Sequence, residues 1–159
     1  MVKQILFIED VYKKIIHYCN SQERCQQEVQ EKLTQFNLKP QESNAILKYL
    51  VDHDLVNEER FTKSFTSSRI RYKKWGGKKI AHELILRGVS GVLIEQVWKT
   101  VDQEEYKKML SLLIEIKLEK MSGKFTLRKR ERMYRFLLNK GYEDNLIQEA
   151  FQKYFPFII

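Results

Sequence analysis

Three observations predict an all-α protein made of three tandem three-helix repeats stacked into an elongated, curved array. Turn punctuation is sparse, with six Gly and two Pro in 159 residues, and the remainder is rich in Leu, Ile, Lys, Glu and Gln, which favour helix over strand. Apolar residues recur at three- and four-residue spacing along most of the chain. The same punctuation also returns three times: Leu33, Leu84 and Leu137 are each followed four residues later by Asn37, Gly88 and Gly141, then by Leu38, Val89 and Tyr142. Further on, Ile46 aligns with Val97 and Ala150, and Leu47 with Trp98 and Phe151, at offsets of 51 and 53 residues. A unit of this length buries little alone, so stacking on a shared core is the physical expectation. The repeats are placed at about 10–56, 57–101 and 102–155 within one domain spanning 1–159.

Each helix has its own local reasons. The first carries Val11, Ile15 and Tyr18, with Asp10 as its expected N-cap, and stops near Asn20. Asn20 and Glu23 stand in the cap-plus-N3 relation ahead of a second helix with the stripe Val29, Leu33 and Phe36, and Asn37 suits a left-handed position at its end. Pro40 fits the first turn of a third, whose buried face is read as Ile46, Leu47, Leu50 and Val51. Asn57 opens the fourth, with Glu58 and Glu59 at the positive end of its dipole and Phe61, Phe65, Ser68 and Tyr72 as its core face. Gly76 and Gly77 break it. The fifth carries Ile80, Leu84 and Ile85 as far as Gly88, and Ser90 or Gly91 opens the sixth, with Leu93, Ile94, Val97, Trp98 and Val101. Asp102 and Glu105 form a capping-box pair for the seventh, which buries Met109, Leu113 and Ile116 and closes near Gly123. Thr126 caps the eighth, ending at Gly141, and the ninth carries Ile147, Ala150, Phe151 and Tyr154. The apolar tail Phe155-Pro156-Phe157-Ile158-Ile159 is expected to fold back on the last repeat, with a dimer contact as the alternative.

The charge is lopsided. The net value is +8, yet residues 1–60 hold eight Lys/Arg against ten Asp/Glu, leaving +10 for the rest. Such asymmetry points to a partner that sees one side of the molecule, typically a polyanion. Two cysteines, Cys19 and Cys25, are too few for a disulfide framework, and the only opening apolar run is Ile5 to Ile8, so the chain reads as cytoplasmic and free of membrane segments. His17, Cys19 and Cys25 match no usual zinc spacing, no His stands in a nucleophile-and-base pair, and no phosphate-cradling loop is present, so no metal, cofactor or catalytic site is assigned.

Between Arg69 and Lys79, six of eleven residues are basic, namely Arg69, Arg71, Lys73, Lys74, Lys78 and Lys79, none is acidic, and Tyr72 and Trp75 sit among them. These charges are read as a contact surface for phosphates or acidic protein, with Arg able to engage an anion through two donors. Tyr72 is assigned to the core because it continues the Phe61 and Phe65 stripe, while Trp75 is left between core packing and base stacking. Lys124, Arg128, Lys129, Arg130, Arg132 and Arg135 form a second basic segment opposed only by Glu131, either another polyanion site or a separate solubilising patch.

The passage LVNEERFTKSFTSSRIRYKKWGGKKIAHELILRGVSGVLIEQVW resembles the central motif of the RecX family, regulators of the recombinase RecA. The matching features are Leu55 to Phe61, Arg69 to Lys74, Gly76, Ile80 to Leu84 and Arg87-Gly88-Val89. Upstream, ERCQQEVQEKLTQF is similar to a further family element, with Cys25 where Ser is usual and Val29 where Leu is usual. The likeness covers roughly residues 10–155 and thins over the third repeat. It implies three three-helix repeats and a monomeric, non-enzymatic protein that binds RecA assembled on single-stranded DNA and modulates, usually downwards, its strand exchange and ATP hydrolysis. Arg87 joins the candidate contact residues on the same ground. The alternative from another class is a stand-alone helical module for single-stranded nucleic acid.

Overall fold

The computed structural model describes residues 2–123 and 126–156, with side chains from residue 5 onward. Lys124 and the tail residues Phe157, Ile158 and Ile159 lie outside the described residues. Nine α-helices and no strand occur among the described residues: α1 Val2–Ser21, α2 Gln26–Thr34, α3 Pro40–Asp52, α4 Glu58–Lys73, α5 Gly77–Leu86, α6 Gly91–Trp98, α7 Gln103–Glu119, α8 Leu127–Lys140 and α9 Asp144–Tyr154.

Helix starts follow side-chain capping. Asn57, Ser90, Asp102 and Thr126 each accept a bond from an N–H of the following first turn, and Pro40 stands at the start of α3. Three expected caps differ. Nothing in Ile5–Ile8 breaks a helix, so α1 runs through Asp10, which instead pairs with Lys14 at 2.6 Å. Glu23 is drawn to Arg60 at 2.8 Å, and α2 starts later, with Glu28 accepting the Cys25 N–H. Asp102 caps α7 through the N–H groups of Glu104 and Glu105, but the Glu105 carboxylate turns to Arg71 rather than closing a box.

Three expected core residues face water. Val51 is exposed, and Ile85 is 58% exposed because α5 turns Gly77, Ile80, Ala81 and Leu84 to the interior instead. Tyr72 is corrected too, at 80% exposed. The buried sector of α4 passes from Phe61 and Phe65 to Thr66 and then Ile70, so by the last turn the face that held the phenylalanines has outrun its cover. Phe155 stacks edge-on against Phe151 at 5.2 Å, which keeps the start of the tail on α9.

The left-handed positions fall where the punctuation recurs. Asn37, Gly88 and Gly141 have φ of 51°, 77° and 93°, and the leucines four residues before them are fully buried. Val89 and Tyr142 each donate a backbone bond to the carbonyl of the leucine five residues back, at 3.1 and 3.2 Å, the closing bond of a Schellman turn.

The apolar interior divides in two. One cluster joins α1, α2 and α3 through Val11, Ile15, Val29, Leu33, Ile46 and Leu50, with Val56 beyond them. The other runs from α4 to α9 around Phe65, Leu84, Tyr106, Ile114, Met133, Leu137 and Tyr142, and takes in Cys25 from the α1–α2 link. The two meet at a polar junction where Arg60 reaches Glu23 and Asp54 and Glu58 accepts the Gln26 N–H at 2.6 Å.

The second cluster is sealed by the α4–α5 turn lying on the α8–α9 turn. The Gly76 N–H donates to the Lys140 carbonyl at 2.7 Å and the Lys78 N–H to the Gly141 carbonyl at 3.0 Å. A Cβ on Gly76 would stand 2.1 Å from the Gly141 carbonyl carbon, so backbone touches backbone there. Beneath the seam the Gly77 N–H donates to the Tyr106 hydroxyl, which donates onward to Glu143, both at 2.8 Å.

Candidate polyanion-binding surface

The seam decides which cations meet. Lys73 and Lys74 end α4, where Lys74 takes the left-handed position with φ 50°, and Lys79 lies in the first turn of α5. Closing Gly76 onto Gly141 brings Lys140, the last residue of α8, against them. Its ammonium donates to the Lys73 carbonyl at 3.5 Å. Burial first, and then the charges of Lys79, Lys74, Lys73 and Lys117, push Lys140 below the usual lysine range. None of these five lysines makes an ion pair among the described residues. Glu83, whose carboxylate feels Lys79, is held by Arg87 at 2.8 Å.

Aromatic faces carry part of this charge. Lys79 lies over Trp75 at 4.8 Å, and Lys117 and Lys140 over Phe136 at 4.5 and 5.8 Å. Trp75 is half-buried against the core, with Arg69 on its ring as well, while Tyr72 stands out in solvent between Arg71 and Lys73. The ring available for stacking is therefore Tyr72.

Several other sequence candidates are engaged inside the molecule. Arg69 and Arg87 both lay their guanidinium groups over Phe65, at 4.5 and 5.0 Å. Arg71 grips Glu105 with two donors, at 2.7 and 3.1 Å, and this bond holds the Glu105 carboxyl below the usual carboxylate range. The Asp144 carboxyl is held below the usual carboxylate range by its bonds from Tyr134 and Gln148, with the charge of Lys78 adding to them. On α8 the basic residues diverge. Lys129 donates to the Ser122 and Gly123 carbonyls, Arg130 covers Phe151 at 5.4 Å, and Arg135 pairs with Glu131 at 3.5 Å. Arg128 and Arg132 are exposed. Arg132, Phe136 and Lys140 fall on one i, i+4 row, so Arg132 prolongs the lysine cluster along α8.

The cluster thus holds Lys73, Lys74 and Lys79 together with Lys117 and Lys140, which sequence reasoning missed. Neither stands in a basic run. The readable signal was Gly141, whose need for close approach ties the end of α8 to Gly76. Like charges gathered without counter-ions cost stability and favour a phosphate or carboxylate polymer that spans them. No group of three or more His, Cys, Asp or Glu able to hold a metal ion occurs among the described residues, and no helix among them is long and apolar enough to cross a membrane.

The chain is similar to known proteins over most of its length. A family model for the second three-helix domain of RecX matches residues 57–97. Over 146 residues the chain is 26% identical to the regulatory protein RecX of Oceanobacillus iheyensis, covering 92% of this chain and 54% of that one. Over 123 residues it is 28% identical to the regulatory protein RecX of Clostridium perfringens, covering 75% of this chain and 56% of the relative. The chain spans about half the length of these curated relatives. Its fold is like that of RecX from Lactobacillus salivarius, with a TM-score of 0.80, 22% identity and coverage of 92% of this chain and 96% of the other.

Proposed function

We propose that this chain, with a RecX second three-helix domain at its centre and a likeness to regulatory RecX proteins along most of its length, regulates a RecA recombinase by lodging against its filament on single-stranded DNA. The observation that carries the reading is the cluster of Lys73, Lys74, Lys79, Lys117 and Lys140, gathered across the glycine seam with no carboxylate paired to it among the described residues. It lies within and beside the matched domain. The protein acts by binding, in the cytoplasm and as a monomer, without a cofactor or a chemical step of its own.

On this reading the chain is three three-helix units, at about 10–56, 57–101 and 102–155. The seam holds the second and third units rigidly, so their lysines meet the filament as one surface. Charge neutralisation at the DNA backbone or at acidic patches on the recombinase supplies the affinity, which falls with salt. A rigid body bridging neighbouring subunits hinders strand pairing and the subunit changes coupled to ATP turnover. The quadruple substitution K73E, K74E, K79E and K140E is expected to abolish inhibition of RecA's DNA-dependent ATPase while leaving the helical circular-dichroism signal intact. Inhibition that survives refutes the surface assignment. The exposure of Tyr72 beside Lys73 favours a second reading, a stand-alone binder of single-stranded nucleic acid. That reading predicts co-sedimentation with bare single-stranded DNA as tight as with RecA-coated DNA.

A further inference from the structure

We infer that the groove between α1 and α2 is a second binding site, for single-stranded nucleic acid, on the unit whose overall charge is negative. The groove has a volume of about 630 Å³ and is lined by Lys13, Lys14, His17 and Tyr18 from α1 and by Lys32 and Phe36 from the α2 side. None of the described residues lining it is a carboxylate. Of the neighbouring acids, Glu23, Asp54 and Glu58 bond Arg60 and the Gln26 N–H at the polar junction, while Glu28 is near enough to act on the Tyr18 phenol. Lys14 has a partner in Asp10 at 2.6 Å, whereas the Lys32 ammonium reaches the Gln35 amide oxygen at 2.7 Å and Lys13 makes no ion pair among the described residues. The groove lining is therefore cationic although residues 1–60 sum to −2.

The aromatics specify the polyanion. Tyr18 stands in the groove lining with the Arg24 guanidinium over its ring at 3.9 Å and the Lys32 ammonium at 5.6 Å. Phe36, partly buried against the first core cluster, forms the far side. Cations alternating with aromatic faces are what a single strand needs, phosphates on the ammonium groups and bases on the rings. The volume is of the size that takes a nucleotide.

The site rests on its own geometry, and the test keeps it apart from the recombinase reading. Fluorescence anisotropy with a labelled oligothymidylate is followed across salt for the full chain and for K13E/K32E. Two lost phosphate contacts should lower the slope of log affinity against log salt by about 1.4. The variant K73E/K74E removes contacts at the seam only, and its groove should still bind. Photo-crosslinking of the unmodified chain to a 5-iodouracil oligonucleotide, read by mass spectrometry, is expected to mark Tyr18, His17 or Phe36, which needs no variant to fold. Crosslinks confined to α4, α7 and α8, or an unchanged salt slope for K13E/K32E, overturn the site. So does a polyglutamate peptide that displaces the oligonucleotide from the groove at equal charge concentration. Loss of ATPase inhibition in K73E/K74E with groove crosslinks intact would leave this site standing whatever becomes of the seam.

Discussion

Replacing Gly76 by alanine tests the seam on which the lysine cluster depends. The new Cβ would sit 2.1 Å from the Gly141 carbonyl carbon and 2.2 Å from the Tyr142 nitrogen, both backbone atoms. Reaching ordinary contact at 3.4 Å requires the two turns to part by about 1.3 Å. The bonds from Gly76 to Lys140 and from Lys78 to Gly141, now 2.7 and 3.0 Å, would stretch to about 4.0 and 4.3 Å and be lost. Each is worth about 1 kcal/mol net, and forcing an overfilled contact apart adds about 1–3 kcal/mol. The expected cost is about 3–5 kcal/mol, or a fall in Tm of about 10 °C for a chain of this size, measured by circular dichroism at 222 nm. Gly91, whose added Cβ meets nothing within 4 Å, supplies the control: alanine there should leave Tm unchanged or raise it slightly. A Gly76→Ala protein melting within 2 °C of the parent would refute the close approach.

Other outcomes follow from the groups beneath and above the seam. The buried Tyr142 hydroxyl has no partner among the described residues, so Tyr142→Phe should stabilise by about 1 kcal/mol, whereas Tyr106→Phe strands both the Gly77 N–H and Glu143 and should cost about 1–3 kcal/mol in urea unfolding. Burial, with Glu143 adding to it, raises both phenols above the ordinary tyrosine value, so their contribution to stability is full below pH of about 10 and is lost as pH rises past it. The double Phe variant should flatten that alkaline decline, and a decline of unchanged steepness would count against their burial. Lys140→Met removes a charge repelled by its neighbours. It should raise stability by a few tenths of a kcal/mol while lowering the salt slope of single-strand binding by about 0.7, so that stability and binding move in opposite directions.

Helix number, order and most starts were legible in the sequence because they rest on local chemistry. Pro40, Asn57, Ser90 and Thr126 act within one turn of themselves, and Asn37, Gly88 and Gly141 mark left-handed positions wherever the surrounding fold goes. The misread details depended on residues distant along the chain. Glu23 left its expected capping role for Arg60, and Glu105 left its own for Arg71. Tyr72 followed the right period but lay beyond the end of the surface that period served. The lysine cluster was half legible: a run of like charge is visible in one dimension, but Lys117 and Lys140 join it only through a contact between two turns some sixty residues apart. The number of basic residues on α8 also overstated its surface, since Lys129 and Arg130 are turned to the α7–α8 turn and to Phe151.

Because the interior is divided, each half encloses one of the chain's two thiols, Cys19 among the first three helices and Cys25 within the larger α4–α9 cluster. Burial raises both above the ordinary cysteine value, so neither reacts as thiolate until its own compartment opens. The native chain therefore carries two built-in clocks: the alkylation rates of Cys19 and Cys25, followed side by side by mass spectrometry, time the breathing of each half separately. A filament or strand that grips only one half should slow one clock and leave the other running.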